Sequence, residues 1–299
     1  MNGWIIVGEK SRNLKDVDKF IDRFRKYSID MDKVSASDIS LSDTQNPDTV
    51  FVDGKETHLP QLVISAYFGN IDKHNLDVSR MLESKNTLSM NSAYCIEICR
   101  DKFKVYDILN QNYPSIKIPK TIVFSAETDK DFIENSFSYP LIVKINKGSK
   151  GNGVELVSSY EELVDTANKF KTQFSDDILI QEYISTSEGK DLRIILCGGK
   201  YITSFIRSNN SSFKSNLAEG GSIDFITPPL FLISQAEKIG KALDMNIGSV
   251  DFLIDGDKYY FCEANAMPGN SYSEAAKEKG LKDPFDDVIE NIINQTNKV

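Results

Sequence analysis

Three oxygen-bearing side chains near the C-terminal end have types and spacing that could support chemistry. Asp251, Glu263 and Asn265 lie in segments that are otherwise apolar, where an acid is costly to bury unless a cation compensates it. Two carboxylates and an amide oxygen that converge would form an all-oxygen site suited to Mg²⁺ carrying a phosphate. The alternative is a hairpin whose acidic side chains are solvated on its outer face.

Convergence of these side chains requires a β-hairpin of suitable register. Residues 255–257, Asp-Gly-Asp, separate two apolar segments and have the composition of a tight turn. A three-residue loop places Asp251 opposite Phe261, with Glu263 as its diagonal neighbour on the same face. A loop of even length would put the two acids on opposite faces instead.

A lysine followed by a glycine-rich segment indicates phosphate binding. Lys144 lies within the predicted strand 141–145, and a buried lysine needs an anionic partner. Segment 148–153 joins this strand to another at 154–157, so it predicts a hairpin tip and not a Walker A loop, which leads into a helix. Its glycines would let backbone N–H groups approach phosphate oxygens; a mobile hairpin tip without a ligand is the alternative.

Further strands are predicted between residues 178 and 207. Strand 178–184 ends in polar residues, and main-chain groups at such an end can pair with the edge of an adenine. A hairpin at 188–207 turns at Gly198-Gly199, and Asp191 and Arg193 share a face of its first strand. The polar segment 208–221 predicts a long loop, and such loops are often functional.

The preceding elements form a small unit and a helix. Residues 1–88 predict an α/β unit with strands at 4–7 and 62–68, a helix whose apolar face runs from Leu14 to Phe24, and a hairpin that turns at Asp53-Gly54. No glycine-rich phosphate loop follows these strands, so this unit alone is not a dinucleotide-binding fold. One continuous helix is predicted to carry Lys102, with an apolar face formed by Ile96, Cys99, Phe103 and Tyr106.

Composition restricts the function classes. The chain has 299 residues, is 40% hydrophobic and carries a net charge of −9, which predicts two or three sub-domains and argues against a nucleic acid or an anionic membrane as partner. No apolar segment reaches transmembrane length. The four cysteines form no Cys-x-x-Cys pair, so we interpret them as reduced thiols of a cytoplasmic protein without a zinc site. The two histidines have no ligand spacing, which argues against histidine-based catalysis.

Six motifs together resemble those of the ATP-grasp carboxylate–amine ligases, most closely the RimK-like branch of ribosomal-protein glutamate ligases and their lysine-biosynthesis relatives. In chain order they are Lys102 in a helix, Lys144 before the glycine-rich hairpin, Gln-Glu-Tyr-Ile at 181–184, Gly-Lys-Asp-Leu-Arg at 189–193, Phe-Lys-Ser-Asn-Leu at 213–217 before Gly-Gly, and Asp251 followed by Glu263 and Asn265. The resemblance runs from about residue 85 to the C-terminus; residues 1–84 match in general style only.

The resemblance implies an α/β (α+β) ATP-grasp fold in which two sub-domains clamp ATP. A pre-ATP-grasp domain would span residues 1–88, a central sub-domain with the glycine-rich hairpin 89–180, and a C-terminal sub-domain with the Mg²⁺ site 181–299. Family chemistry is attack of a substrate carboxylate on the γ-phosphate of ATP, which gives an acyl-phosphate that an amine converts to an amide. The substrates implied are small molecules or peptides, and a homo-oligomer, as a dimer or tetramer, is open.

Each matching residue acquires a role from the resemblance. Lys102 and Lys144 would hold the α- and β-phosphates, Ser149, Gly151 and Gly153 would close over the triphosphate, Gln181, Glu182, Tyr183 and Ile184 would line the adenine pocket, Asp191 would lie near the ribose, and Lys214, Ser215 and Asn216 would lie at the nucleotide or acyl site. Asp251, Glu263 and Asn265 would bind Mg²⁺, or Mn²⁺ in its place, and Arg193, Arg207 and Asn265 would be catalytic.

Two positions depart from the family pattern. Lys214 stands where the family commonly has arginine, and Ala218-Glu219 replaces His-Arg. An acid beside the substrate groove argues against an acidic amine such as glutamate. Alternatives on the same fold are an ester- or macrocycle-forming peptide ligase, a kinase, and a nucleotide-binding regulator without catalysis; the complete set of metal-binding candidates argues against the last.

Overall fold

The computed structural model of the protein describes residues 1–8, 15–40, 49–65, 73–85, 87–125, 127–148, 151–210, 212–215 and 221–296. Within these residues the chain forms helices and four β-sheets, so the predicted α/β (α+β) class is confirmed. The three larger sheets follow one another along the chain, and the second and third of them form the walls of a cleft.

The N-terminal part forms a parallel sheet. Its elements are β1 (Asn2–Val7), α1 (Lys15–Arg25), β2 (Asp30–Ser35), β3 (Ile39–Ser40), β4 (Thr49–Val52), β5 (Lys55–His58), β6 (Leu62–Ser65), α2 (Lys73–Glu83) and β7 (Leu88–Met90). Sheet order is β2-β1-β6-β7, and β3 to β5 form a small antiparallel sheet. The predicted turn at Asp53-Gly54 is confirmed, since both residues have the positive φ that a two-residue hairpin turn requires. Leu14 lies outside the described residues.

The middle part forms an antiparallel sheet with its own core. Its elements are α3 (Ala93–Arg100), α4 (Lys102–Asn112), β8 (Thr121–Phe124), α5 (Lys130–Ser136), β9 (Leu141–Ile145), β10 (Val154–Val157), α6 (Tyr160–Phe174) and β11 (Ile178–Glu182). Sheet order is β10-β9-β11-β8. Alternate residues of β9, Leu141 and Val143, pack with Ile133 of α5 and Phe170 of α6. The predicted hairpin that joins β9 to β10 is confirmed.

The helix predicted to run continuously through Lys102 is two helices. The backbone N–H of Asp101 ends α3 on the carbonyl of Ile98, while its carboxylate accepts the N–H of Lys104 at 3.1 Å and so caps α4. Asp101 also accepts a hydrogen bond from the side chain of Asn146 at 2.8 Å. This break places Lys102 at the start of α4, beside the end of β9, and leaves Phe103 39% exposed instead of on an apolar face.

The C-terminal part forms a five-stranded antiparallel sheet. A 3₁₀ turn at Ser185–Ser187 precedes β12 (Lys190–Cys197), β13 (Lys200–Ser208), β14 (Ser222–Phe225), α7 (Leu230–Ala242), β15 (Ile247–Asp255), β16 (Lys258–Asn265), α8 (Ser271–Glu278) and α9 (Pro284–Thr296). Sheet order is β14-β13-β12-β15-β16. One face packs against α3, α4 and α7. The other packs with α9, β1 and α1, so the N-terminal and C-terminal parts share a core.

The register of the β15–β16 hairpin differs from the predicted one. The loop has two residues, because Asp255 pairs with Lys258, and Phe252 rather than Asp251 lies opposite Phe261. The register then shifts by one residue, since Cys262 forms a β-bulge without a partner on β15. Asp251 therefore lies directly opposite Glu263. A two-residue loop without a bulge would place Asp251 and Glu263 on opposite faces of the hairpin, and the bulge returns them to the same face.

The predicted division at residues 88 and 180 remains a prediction. Both boundaries fall inside strands, the first in β7 and the second in β11. Of the core residues described in the middle sheet, Leu179 of β11 alone belongs to the core beneath α4 and α7. Among the described helices, none has the length and apolar composition needed to cross a membrane.

An arginine of α1 fastens the N-terminal part to the C-terminal part. Arg23 donates to Ser273 Oγ at 2.5 Å, forms an ion pair with Asp283, and lies 4.4 Å from the ring centre of Phe285. Both members of the ion pair are nearly buried, at 14% and 10% exposure. Arg25 on the same helix pairs with Asp22, and both are largely exposed.

Replacing Arg23 with alanine is expected to lower the free energy of unfolding by about 2 kcal/mol, because it leaves a nearly buried carboxylate short of a partner. The matched variant Arg25→Ala is expected to cost less than about 0.5 kcal/mol, since its pair is exposed. Urea unfolding of both variants measures the difference. Equal losses would contradict a fastening role for Arg23.

Candidate active site

A cleft lies between the middle sheet and the five-stranded sheet. It encloses about 920 Å³ of empty space, counting its open mouth. Its walls come from β9, β10 and β11 on one side and from β12, β13, β15 and β16 on the other. The apolar part of its lining consists of Ile142, Val154, Ile184, Leu253, Tyr183 and Phe213.

The cleft is basic although the chain is acidic. Five cationic side chains line it, and they are Lys102, Lys144, Lys190, Arg207 and Lys214. The acids described in the lining are Glu182, Asp191 and Glu263. A chain with a net charge of −9 therefore concentrates positive charge at one concave site, where field lines are focused and an anion is favoured.

Lys144 is a buried ammonium group held by neutral oxygens. Its side chain points from β9 into the back of the cleft, and the residue is 4% exposed. Its Nζ donates to the hydroxyl of Tyr106 at 2.8 Å and to Oε1 of Gln181 at 2.9 Å. Among the described residues, no carboxylate lies within ion-pair distance of it, and burial lowers the pKa of Lys144. Such a group stabilises an incoming anion.

Lys102 lies beside it at the start of α4. Its Nζ donates to the carbonyl oxygens of Gly148 at 2.8 Å and Asn146 at 3.3 Å. Burial lowers the pKa of Lys102, while the nearby charge of Glu263 partly opposes this shift. The structure thus brings together the two lysines that were expected to hold phosphates.

Glycines shape the described part of the hairpin tip beside Lys102. Gly151 and Gly153 have φ values of +72° and +66°, which residues with a side chain rarely adopt. A Cβ on Gly153 would also lie 2.7 Å from the side chain of Ile145. Lys214 Nζ donates to the carbonyl of Gly151 at 3.0 Å and so connects segment 212–215 to the tip. Ser149 and Asn216, which were also expected here, lie outside the described residues, as does the departure at 218–219.

Two arginines and two aspartates form a network in the sheet below the cleft. Arg193 binds both oxygens of Asp251, with Nε at 2.8 Å from Oδ1 and Nη2 at 2.5 Å from Oδ2. Arg207 binds both oxygens of Asp191 and reaches Oδ2 of Asp251 at 2.8 Å. Ser215 Oγ donates to Asp191 at 2.6 Å. Paired forks of this kind hold the guanidinium groups in fixed orientations.

This network engages two acids for which other roles were expected. Asp191, expected near the ribose, has its carboxylate bound by Arg207 and Ser215. Asp251, expected to bind metal, is fully buried. Burial raises its pKa, but the arginines outweigh burial, so the pKa of Asp251 is lowered overall and it is ionised at neutral pH. The same two aspartates raise the pKa of Arg207 against the effect of burial.

Glu263 and Asn265 offer oxygens that suit a hard cation. Glu263 lines the cleft and its side chain is 33% exposed. Asn265 donates its side-chain N–H to Oε1 of Glu263 at 3.2 Å, which leaves the amide oxygen for a ligand. No group of three or more acids, histidines or cysteines able to hold a metal occurs in the described part of the chain. One carboxylate and an amide oxygen fit Mg²⁺ that is mainly bound by phosphate and water.

The adenine end of the expected site follows β11. Tyr183 and Ile184 line the cleft, and Gln181 is buried where it holds Lys144. The side chain of Glu182 is exposed. The backbone N–H of Glu182 donates to the carbonyl of Lys120 at 2.9 Å. Pairing with an adenine edge would therefore use other main-chain groups of residues 182–184.

Sequence reasoning missed several residues of the cleft. Tyr106 was assigned only to an apolar helix face, and nothing in its spacing marked the hydroxyl that binds Lys144. Ile142, Val154 and Leu253 alternate as ordinary strand residues do. Cys262, interpreted as a small buried thiol, lines the cleft; burial raises its pKa to about 12, which argues against a nucleophilic role.

Comparison with known proteins agrees with this geometry. A family model described as the RimK-like ATP-grasp domain matches residues 99–283. Curated relatives include two proteins named "Probable alpha-L-glutamate ligase". That of Aeromonas salmonicida is 27% identical over 84% of this chain and 84% of its own length. That of Methanococcoides burtonii is 26% identical over 96% and 95%.

Solved structures share the fold over the whole chain. D-alanine–D-alanine ligase from Bacillus anthracis complexed with ATP has a TM-score of 0.68 at 20% identity, covering 100% of this chain and 99% of that one. The ATP-grasp ligase PsnB complexed with minimal precursor, Mg and ADP has a TM-score of 0.71 at 15% identity, covering 98% of both chains. Because the family model matches more than half of the sequence, the protein belongs to the RimK-like ATP-grasp family.

Proposed function

We propose that this ATP-grasp ligase binds Mg²⁺ and ATP in the cleft, activates a substrate carboxylate as an acyl-phosphate, and joins it to an amine of an amino acid or peptide. The observation that carries the proposal is Lys144, an ammonium group that is buried at the back of the cleft and held by neutral oxygens only. With Lys102 beside it, the cleft has the charge that a polyphosphate needs.

The residues divide the work by position. ATP supplies the phosphoryl group and Mg²⁺ offsets its charge. Lys102 and Lys144 orient the α- and β-phosphates, and the glycine-rich tip, through Gly151 and Gly153, excludes water above them. Residues 182–184 and the apolar lining enclose the base. Phosphoryl transfer needs mainly positioning and charge stabilisation, so no nucleophile on the protein is required.

The metal and the arginines act at the other end of the cleft. Glu263 and Asn265 would hold Mg²⁺, or Mn²⁺, which accepts the same oxygen ligands. Asp251 lies opposite Glu263 in the hairpin and fixes the orientation of Arg193 and Arg207. These arginines stabilise the negative charge that develops on the transferred phosphoryl group and on the tetrahedral adduct. Lys214 and Ser215 lie at the nucleotide or acyl site, where Lys214 binds the carbonyl of Gly151 and Ser215 binds Asp191.

The acceptor amine is where the sequence departs from the family pattern. The names of the curated relatives point to glutamate as a substrate, whereas Ala218-Glu219 in place of the family's His-Arg argues for a neutral or basic amine. The use of ATP and the four free cysteines support a cytoplasmic location. A dimer or tetramer remains an expectation from the family.

The first test is release of ADP and phosphate from Mg²⁺-ATP across a panel of amino acids and short peptides, with glutamate included and product masses recorded. We expect a product whose mass equals two panel members less one water. A stable phosphorylated product would identify a kinase instead. Tight ATP binding without turnover by any panel member would favour a regulator or a dedicated peptide substrate.

Replacement of Lys144 by methionine is expected to weaken ATP binding by about 10²–10³-fold, the size of the loss when one partner of a buried, hydrogen-bonded charge pair is truncated. Titration calorimetry measures it. Lys147→Met, three residues further on and exposed, is the matched control and should bind nearly normally. Unchanged affinity in the Lys144 variant would refute the phosphate assignment.

The same replacement is expected to stabilise the ATP-free protein by about 1 kcal/mol at pH 7, because it removes a buried charge without a carboxylate partner. Burial holds the pKa of Lys144 below its ordinary value of 10.5, so the folded state is penalised while the ammonium is charged. The difference between wild type and variant should therefore shrink as the pH rises towards 10.5. Thermal unfolding as a function of pH measures this trend, and a difference that grows with pH would contradict it.

Glu263→Gln is expected to keep the fold and to reduce Mg²⁺-dependent ADP release by about 10²-fold, since an amide binds Mg²⁺ more weakly than a carboxylate does. The half-saturating Mg²⁺ concentration at fixed ATP should rise in parallel. Asp257→Asn, in the exposed turn of the same hairpin, serves as control. Wild-type dependence on Mg²⁺ in the Glu263 variant would rule out its metal role.

A further inference from the structure

The bulge in β16 leaves a backbone group that a distant tyrosine satisfies. Cys262 has no partner on β15 in the sheet register, and its carbonyl oxygen accepts a hydrogen bond from the hydroxyl of Tyr106 at 3.0 Å. Tyr106 is 3% exposed and packs edge-on against Phe261, with ring centres 5.9 Å apart. Burial raises the pKa of Tyr106, so its hydroxyl remains protonated and can donate.

The same hydroxyl holds the phosphate-binding lysine. Lys144 Nζ donates to it at 2.8 Å, and Gln181 Nε2 lies 3.4 Å from it. Gln181 is itself fixed, because its Nε2 donates to Thr121 Oγ1 at 2.7 Å and its Oε1 accepts from Lys144. A hydroxyl has one donor hydrogen and two acceptor sites, and here the hydrogen goes to Cys262 while an acceptor site takes Lys144.

Tyr106 therefore connects two walls of the cleft. Lys144 belongs to the middle sheet, whereas Cys262 belongs to the five-stranded sheet and directly precedes Glu263. Tyr106 also lies four residues after Lys102, and side chains with this spacing share one face of a helix. The two lysines and the strand that carries Glu263 thus share a single point of alignment.

We propose that Tyr106 is a positioning residue that aligns Lys144 for the phosphates, with its own hydroxyl fixed by the carbonyl of Cys262 in the β16 bulge. The proposal rests on the proposed function, since it assumes that Lys144 binds phosphate. Tyr106 touches neither ATP nor metal in this role and acts through Lys144.

A double-mutant cycle on ATP affinity tests the proposal. Titration calorimetry with ATP and Mg²⁺ is carried out on wild type, Tyr106→Phe, Lys144→Met and the double variant. Phenylalanine keeps the ring that packs on Phe261 and removes one oxygen. The matched control is Tyr113→Phe, at the other end of the same helix and away from the cleft lining, which should bind ATP as wild type does.

Tyr106→Phe alone is expected to weaken ATP binding roughly tenfold, the size of one lost hydrogen bond to a charged group. In the Lys144→Met background the same change should alter affinity by less than about twofold, because a residue that acts through Lys144 has nothing left to align. The melting temperature of the Tyr106→Phe variant should fall by only a few degrees, roughly the effect of one unsatisfied carbonyl.

Equal effects of Tyr106→Phe in both backgrounds would overturn the proposal, because additivity means that Tyr106 acts independently of Lys144. An unfolded Tyr106→Phe protein would also overturn it, in favour of a purely structural role. If Lys144→Met itself binds ATP normally, the phosphate assignment fails first and takes the proposal with it. The cycle thus distinguishes failure of the inference from failure of the proposed function.

Discussion

Burial of positive charge without a matching acid is the constraint on which this structure depends. An ammonium group removed from water is tolerated only where oxygens replace its hydration. Lys144 receives two such oxygens, from Tyr106 and Gln181, and both are neutral. The helix break at Asp101, the position of α4 and the end of β11 all serve to bring those oxygens to it. The energetic deficit that remains is what an anionic ligand relieves.

The cleft uses its cations in two different ways. Lys102 and Lys144 contribute net charge because their partners are carbonyl, hydroxyl and amide oxygens. Arg193 and Arg207 are balanced by Asp191 and Asp251, so they contribute orientation more than net charge. The proposed function thus separates attraction of the polyphosphate, by the lysines, from stabilisation of the reacting group, by the arginines. A guanidinium held by a bidentate carboxylate needs no reorganisation when charge develops near it.

Residue types and spacing predicted much of this site, while backbone irregularities decided the rest. Lys144 and the glycines of the tip could be identified because a lysine in a buried strand needs an anionic partner, and a glycine-rich tip lets backbone N–H groups approach phosphate oxygens. The hairpin of Asp251 and Glu263 was also predicted, but with the wrong loop length. A bulge at Cys262 places Asp251 and Glu263 on the same face of the hairpin. No residue type in that strand predicts a bulge.

Side-chain partners at long range were beyond the reach of the sequence. Asp101 reads as one polar residue within a helical pattern; its bond from the N–H of Lys104 is local, but its bond from the side chain of Asn146 spans 45 residues. The hydroxyl of Tyr106 is similar, since its partners come from two different sheets. Such contacts depend on how distant strands and helices are arranged in space, so local periodicity does not predict them.

The separate core of the middle sheet has a mechanical consequence. Strands β8 to β11 pack with α5 and α6 around side chains of their own, and in the described residues Leu179 alone reaches the neighbouring core. The N-terminal and C-terminal parts, by contrast, are joined by a shared core and by Arg23. A tilt of the middle sheet would expose little apolar surface, so we expect this sheet to move as one body relative to the other two large sheets. Polar contacts such as that between Lys214 and Gly151 would then oppose the movement.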